Sequence, residues 1–305
     1  MSFADEVRAE LTEALPKVQH CRLAQLCGLL RFAGAFHLRA GGEVSVDCDL
    51  ASAATARRTI ALLRGLGASC EVRTYNERRF GRRARFVVAV GTDARSLQLL
   101  HEAGVLSASL APGSEVPRRV LARSCCRRAF MRGAFLAAGS LSGPRSEAHL
   151  EVRTTRAEAA RELASVALQE GFELGVHEGP RYVIAYSKRA EVVRGMLAAM
   201  GAHSSELRLE EEDVMRWARE RANRLTNADG ANLRRQAAAA DRQRRAIEAL
   251  GGPDALPREL RLVAELRLAH PEATLAEIAA ELAPGVSRDA VAGRLRRIVE
   301  RAEIA

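Results

Sequence analysis

Two stretches of this chain repeat one another, and the repeat limits the possible fold more than any other feature. LAQLCGLLRFAGAF (Leu23 to Phe36) and RRAFMRGAFLAAGSL (Arg127 to Leu141) share an apolar helical pattern, with glycine at the third and last places of a nine-residue core. Gly28 thereby corresponds to Gly133, and Gly34 to Gly139. Helices approach at the short end of the usual interaxial distance only where the side chains in contact are small. Ala24 and Gly28, Gly133 and Ala137, and Ala134 and Ala138 each fall one turn apart. Gly28, Gly34, Gly133 and Gly139 are therefore expected to pack a helix pair.

The elements after each helix repeat as well. Behind the first come a short strand, the turn AGG, the alternating strand EVSVDCDL, the helix SAATARRTIALLRGLG, a hairpin from SCEVRTY to ARFVVAV, and the helix DARSLQLLHEAG. Behind the second come SLSGPRSEAHLEVRT, the helix TRAEAARELASVALQEG, the hairpin FELGVHEGPRYVIAY, and the helix AEVVRGMLAAMG. Two αββαββα units, about 21–105 and 123–203, make a pseudo-symmetric α+β domain over residues 1–205.

A pair of such helices above two antiparallel sheets resembles the LAGLIDADG homing endonucleases, which saddle DNA. That family carries an acid at the eighth position of each nine-residue motif to hold the cleavage metals. Hard divalent cations need oxygen ligands, and metal-assisted hydrolysis needs a carboxylate beside the scissile phosphate. The eighth positions here are Ala33 and Ala138, and the sixth are Arg31 and Leu136. The next acids, Glu43 and Glu147, lie past the helix ends. No catalytic residue is assigned, and the expectation is a fold that has lost the nuclease chemistry.

Charge suggests an anionic partner. The net charge is +9, all of the excess lying in residues 1–205. Of the 47 basic residues only Lys17 and Lys188 are lysines, a bias that a GC-rich genome produces without any ligand. RTYNERRFGRRAR sets Arg73, Arg78, Arg79, Arg82, Arg83 and Arg85 against one acid, with Tyr75 and Phe80 interleaved, and these arginines are candidate phosphate contacts. RRVLARSCCRRAFMR (Arg118 to Arg132) adds six more with no acid. A solvated arginine face is the competing reading, and 4% aromatics argue against stacking platforms for single strands.

The six cysteines include no CxxC pair and no histidines at zinc spacing, so buried or incidental thiols are expected, with no metal or other cofactor. No uncharged run reaches the length of a membrane span, and the acidic, amphipathic start is unlike a signal peptide, so a cytoplasmic, nucleoid-associated protein away from membranes is expected.

Residues 206–250 read as a highly charged helical connector, interrupted at Asp229-Gly230. After GGPDALP, residues 251–305 hold three short amphipathic helices. Thr274 and Glu277 form a capping box for the second, and Ser287 caps the third. Ile278, Ala279, Leu282, Val291, Leu295 and Ile298 are expected to share a core, giving an all-α helix-turn-helix domain. Its third helix would present Ser287, Arg288 and Asp289 to a DNA groove, and Arg294, Arg296 and Arg297 to phosphates or guanines. A helical bundle used for protein contact is the alternative.

The order of these parts resembles the bacterial WhiA regulators along essentially the whole chain. Its most specific pieces are SFADEVRAEL, the repeat helices, NRLTNADGAN, and PEATLAEIAAEL running into SRDAVAGRLRRI. The resemblance implies a regulator of transcription that binds double-stranded DNA without nuclease activity, tied to sporulation septation, cell division or chromosome segregation. In actinobacteria it also implies a WhiB-type iron-sulfur partner, alongside the transcription machinery. The family's recognition helix often reads lysine-serine-glycine-valine-asparagine-histidine-arginine-leucine. This chain has Ala292 and Gly293 where that pattern has asparagine and histidine. Two other functions remain open: a division or segregation scaffold with nonspecific DNA affinity, and an active endonuclease with a metal site elsewhere.

Overall fold

A computed structural model describes residues 2–13, 15–38, 44–77 and 83–304. The chain parts into two units, Met1–Met215 and Arg216–Ala305.

The first unit opens with helix α1 (Phe3–Leu11), started by a capping box between Ser2 and Asp5 and burying Phe3, Ala4, Val7 and Leu11. Two halves of matching order come next. The first runs α2 (Gln19–Ala33), β1 (Gly34–Leu38), β2 (Val44–Leu50), α3 (Ala53–Gly65), β3 (Cys70–Glu77), β4 (Arg83–Val90) and α4 (Ala94–Glu102). A short helix, α5 (Arg118–Leu121), leads into the second: α6 (Ser124–Ala138), β5 (Gly139–Leu141), β6 (Leu150–Thr154), α7 (Ala157–Gln169), β7 (Gly175–Glu178), β8 (Val183–Ser187) and α8 (Ala190–Met200). Each half builds one antiparallel sheet, in the orders β1-β2-β4-β3 and β5-β6-β8-β7. The period-2 alternation turns Val46, Cys48 and Leu50 into the core, and Asp47 and Asp49 to the other face.

Helices α2 and α6 pack on each other through their glycines. A methyl group on Gly28 would overlap the Phe130 carbonyl oxygen, and one on Gly133 the Gln25 carbonyl oxygen. The contact is reciprocal: Gly28 lies over the turn from Phe130 to Ala134, and Gly133 over the turn from Gln25 to Leu29. Gly34 and Gly139 serve differently from the expectation. Both leave helical geometry at the helix C-caps, and the nearest atoms to an added methyl belong to the same helix, at Leu30 and Phe135. They let each helix pass directly into a strand.

Helix α9 (His203–Ala249) runs through Asp229-Gly230 without a break, contrary to the turn preference of that pair. Glycine in an exposed helix interior costs only ~1 kcal/mol, and the flanking helix formers offset it. Glu10 caps the start of α9, accepting from the Ser204 amide at 2.7 Å and the Ser205 amide at 3.0 Å. Residues 206–250, expected as a connector, thus lie almost wholly on this helix, and its Ala246 and Ile247 are buried in the core of the second unit.

That core also receives α10 (Arg258–Ala269), α11 (Leu275–Leu282) and α12 (Arg288–Ile304). Ile278, Ala279, Val291, Leu295 and Ile298 are buried, while Leu282 is half-buried at its margin. Gly285, at φ +89°, turns the chain between α11 and α12. Among the described residues no helix is long and apolar enough to cross a membrane.

Candidate nucleic-acid interface

The packing of the second unit, from the end of α9 through α10 and α11, leaves one face of α12 free. Ser287 caps the helix, its hydroxyl accepting from the Ala290 amide at 3.1 Å, so its side chain serves the helix start. With Val291, Leu295 and Ile298 inward, the 3.6-residue period puts Asp289, Gly293 and Arg296 on the opposite side, with Arg297 beside them. Asp289, Arg296 and Arg297 are exposed. Arg297 pairs with Glu259 at 3.4 Å. Arg288 and Arg294 fall on opposite flanks of the inward face, so the six expected contacts do not form one row. A side chain at Gly293 would meet open space. Gly293→Ala is therefore expected to raise the stability of the helix-turn-helix unit by about 1 kcal/mol; thermal unfolding of the full chain followed at that transition measures it.

Arginine also works inside this unit. Arg267 is buried and donates to the carbonyls of Ala273 at 2.8 Å, Pro271 at 3.3 Å and His270 at 3.4 Å, shaping the turn from α10 to α11.

In the first unit the arginine clusters are less available than their sequence suggests. Arg85 is bound to Asp49 at 3.0 Å, and the Tyr75 hydroxyl donates to the same carboxylate at 2.7 Å. Arg73 is exposed and 3.4 Å from Glu71. Arg78, Arg79 and Arg82, with Phe80, lie outside the described residues, as does the Arg83 side chain. In the second cluster the missing acid comes from another element. Glu170, just past α7, accepts from Arg127 at 2.8 Å, Arg128 at 2.7 Å and the Ser124 hydroxyl at 2.7 Å. Burial opposes its charge, yet these donors together hold its carboxyl below the usual range. Arg132 donates to the Met200 carbonyl at the end of α8.

Where an endonuclease would hold its metals, this chain holds alanine. Ala33 and Ala138 are half-buried on the last turns of α2 and α6, Glu147 is exposed on the loop beyond, and Glu43 lies outside the described residues. Arg31, at the sixth motif position, is buried and joins Glu162 at 2.8 Å. It also donates to the carbonyls of Ser114 at 2.9 Å and of Gly104 and Gly113 at 3.3 Å, so it fastens the segment between the halves. Burial pushes the Glu162 carboxyl up, against the pull of the Arg31 cation.

The thiols depart from the sequence expectation. Cys27 and Cys48 are buried singly, but Cys21, Cys125 and Cys126 come together with His20, all four donor atoms lying within 4.8 Å of one another. Sequence spacing hid this because each helix supplies only two of the four. The repeat itself held the signal, since the offset that relates Gly28 to Gly133 relates His20 to Cys125 and Cys21 to Cys126.

Comparison with known proteins agrees with this architecture. Residues 19–106 match the WhiA N-terminal LAGLIDADG-like domain, residues 127–219 the WhiA LAGLIDADG-like domain, and residues 222–302 the WhiA C-terminal HTH domain. A probable cell division protein WhiA of Heliobacterium modesticaldum is 34% identical over 307 residues, covering 99% of this chain and 96% of its own. One of Saccharopolyspora erythraea is 36% identical over 311 residues, covering 99% and 93%. The crystal structure of full-length DUF199/WhiA from Thermatoga maritima aligns over 100% of this chain and 99% of its own, with TM-score 0.60 and 24% identity, a likeness of fold. Matched in all three domains, and along nearly its whole length by relatives more than 30% identical, the chain belongs to the WhiA family.

Proposed function

We propose that this protein is a DNA-binding regulator of transcription in the cell-division class, holding duplex DNA through α12 and lacking nuclease activity. The observation that carries the reading is the free outer face of α12. On that face Arg296 makes no ion pair among the described residues, nor do Arg288 and Arg294 on its flanks, whereas most of the described arginines singled out in the first unit, Arg85, Arg127, Arg128 and Arg132 among them, are held by acids or carbonyls. The absence of acids at Ala33 and Ala138 supports the loss of cleavage chemistry. The domain limits 1–205, 206–250 and 251–305 belong to the same reading. Transcription machinery or a WhiB-type iron-sulfur protein as partner, and work at the nucleoid, rest on the family resemblance.

Replacing Arg294 and Arg296 together by alanine is expected to weaken duplex binding and to reduce the slope of log affinity against log salt by about 1 for each phosphate no longer neutralised. Fluorescence anisotropy of the full chain on duplex DNA across a salt series reads both quantities. Unchanged affinity and slope would remove α12 from the interface. Magnesium-dependent cleavage of supercoiled plasmid by the same preparation would restore the endonuclease reading.

A second reading, a division or segregation scaffold with nonspecific DNA affinity, is favoured by one observation. Ala292 and Gly293 leave α12 few groups able to read a base edge. Affinity selection of sheared genomic DNA at near-physiological salt separates the two: a shared short motif supports the regulator, and broad recovery without a motif supports the scaffold.

A further inference from the structure

We propose that His20, Cys21, Cys125 and Cys126 form a zinc site that staples the N-terminal ends of α2 and α6. His20 and Cys21 lie in the first turn of α2, and Cys125 and Cys126 in the first turn of α6. The His20 Nδ1 atom is 3.1 Å from Cys126 Sγ and 3.3 Å from Cys21 Sγ, and all four donor atoms lie within 4.8 Å of one another. A tetrahedral zinc with Zn–S near 2.3 Å and Zn–N near 2.0 Å sets its donors about 3.5–3.8 Å apart. The side chains therefore already enclose a space of the right size for one ion, with small adjustments.

The chemistry of the donor set selects the metal. Three thiolates and an imidazole suit zinc and exclude the oxygen-seeking magnesium or calcium. Four protein ligands leave no open coordination position, which makes the site structural. Helix ends favour it further. Neither α2 nor α6 has a side-chain N-cap, so both first turns present the positive end of a helix dipole to the thiolates.

Loading moves protons and one neighbour. Each thiol that binds gives up its proton to solvent, while the imidazole binds neutral. Ligation through Nδ1 leaves the proton on Nε2, so the exposed Arg123, whose guanidinium meets Nε2 at 3.1 Å in the unloaded geometry, turns outward. It remains close enough to offset the net negative charge of three thiolates around a divalent ion. Cys125 is exposed and provides the route of entry. The staple lies at one end of the helix pair and the glycine contact further along it, so together they hold the pair at two levels.

The test uses the full chain, purified with a phosphine reductant and dialysed against trace zinc. Elemental analysis should give one zinc per chain. Replacement by cobalt(II) should give the intense visible ligand-field bands of a tetrahedral ion and a near-ultraviolet thiolate-to-cobalt band. Cys21→Ser with Cys125→Ser should abolish both, and Cys70→Ser, away from the cluster, should leave both unchanged. The cobalt spectrum of the unaltered chain decides the matter even where the double variant fails to fold. Absence of retained zinc with no tetrahedral cobalt spectrum would overturn the site, as would full retention of zinc by a folded double variant. A disulfide within the cluster, seen as a two-dalton mass loss in zinc-free protein resistant to loading after reduction, would also overturn it.

Discussion

Gly133→Ala is expected to lower the stability of the N-terminal unit by about 2–3 kcal/mol, although helix propensity alone would raise it by about 1 kcal/mol. The sign is set by what the new methyl meets. It would overlap the Gln25 carbonyl oxygen and lie 2.8 Å from the Leu29 amide nitrogen, both backbone atoms inside a buried helix. No rotamer change can move them, so α2 and α6 must separate, and the packing of Leu29, Leu30, Phe130 and Phe135 against their neighbours loosens with them. Gly133→Leu should go further and leave the unit unfolded or molten, since a whole domain holds only about 5–15 kcal/mol. Urea unfolding followed by circular dichroism reads the loss. A stabilised Gly133→Ala chain would show that the two helices do not approach this closely.

Arg31→Ala should cost the same unit about 3–5 kcal/mol at neutral pH. The substitution leaves the Glu162 carboxylate buried without its cation and strips donors from the carbonyls of Gly104, Gly113 and Ser114. Burial already raises the Glu162 pKa in the folded chain, and removing Arg31 raises it further. A carboxyl with a raised folded pKa favours folding below its unfolded value, near 4.3, and loses that contribution as pH rises through the folded value. The deficit of Arg31→Ala should therefore be smaller near pH 4 than at pH 7. Paired replacement of Arg31 and Glu162 by leucine should recover the part of the loss that comes from a charge buried alone. The rest should remain, because the carbonyls of Gly104, Gly113 and Ser114 stay without the Arg31 donor and the Val116 amide loses its acceptor. A deficit independent of pH would mean that Glu162 does not feel the missing cation.

Pattern and repetition made the fold legible. The glycine spacing, the strand alternation and the caps at Thr274 and Ser287 are local signals, and each describes an element whose backbone obeys them. What sequence could not show was pairing between distant elements. Glu170 is nowhere near the arginines of Arg118 to Arg132 in the chain, yet it holds two of them, so a run that looked free of acids is partly neutralised. Arg31 looked like a mere absence of acid and is a buried clamp. The Asp229-Gly230 pair has a real turn preference, overridden by the long helix on either side. For α12 the cap and inward apolar positions were readable, whereas the division of its arginines between flank and outer face needed the helix set against its core.

The reciprocal glycine contact also bears on how the protein is made. Gly28 leaves the ribosome long before the turn it must cover, and at about 5–20 residues per second the interval to Gly133 is on the order of 5–20 s. Throughout that time α2, carrying Leu26, Leu29 and Leu30, lacks α6, the helix that its glycine face packs against. The first half can form its sheet while the centre of the domain waits. A pause in translation between the halves would lengthen the exposure of that apolar face, the kind of surface through which incompletely folded chains aggregate.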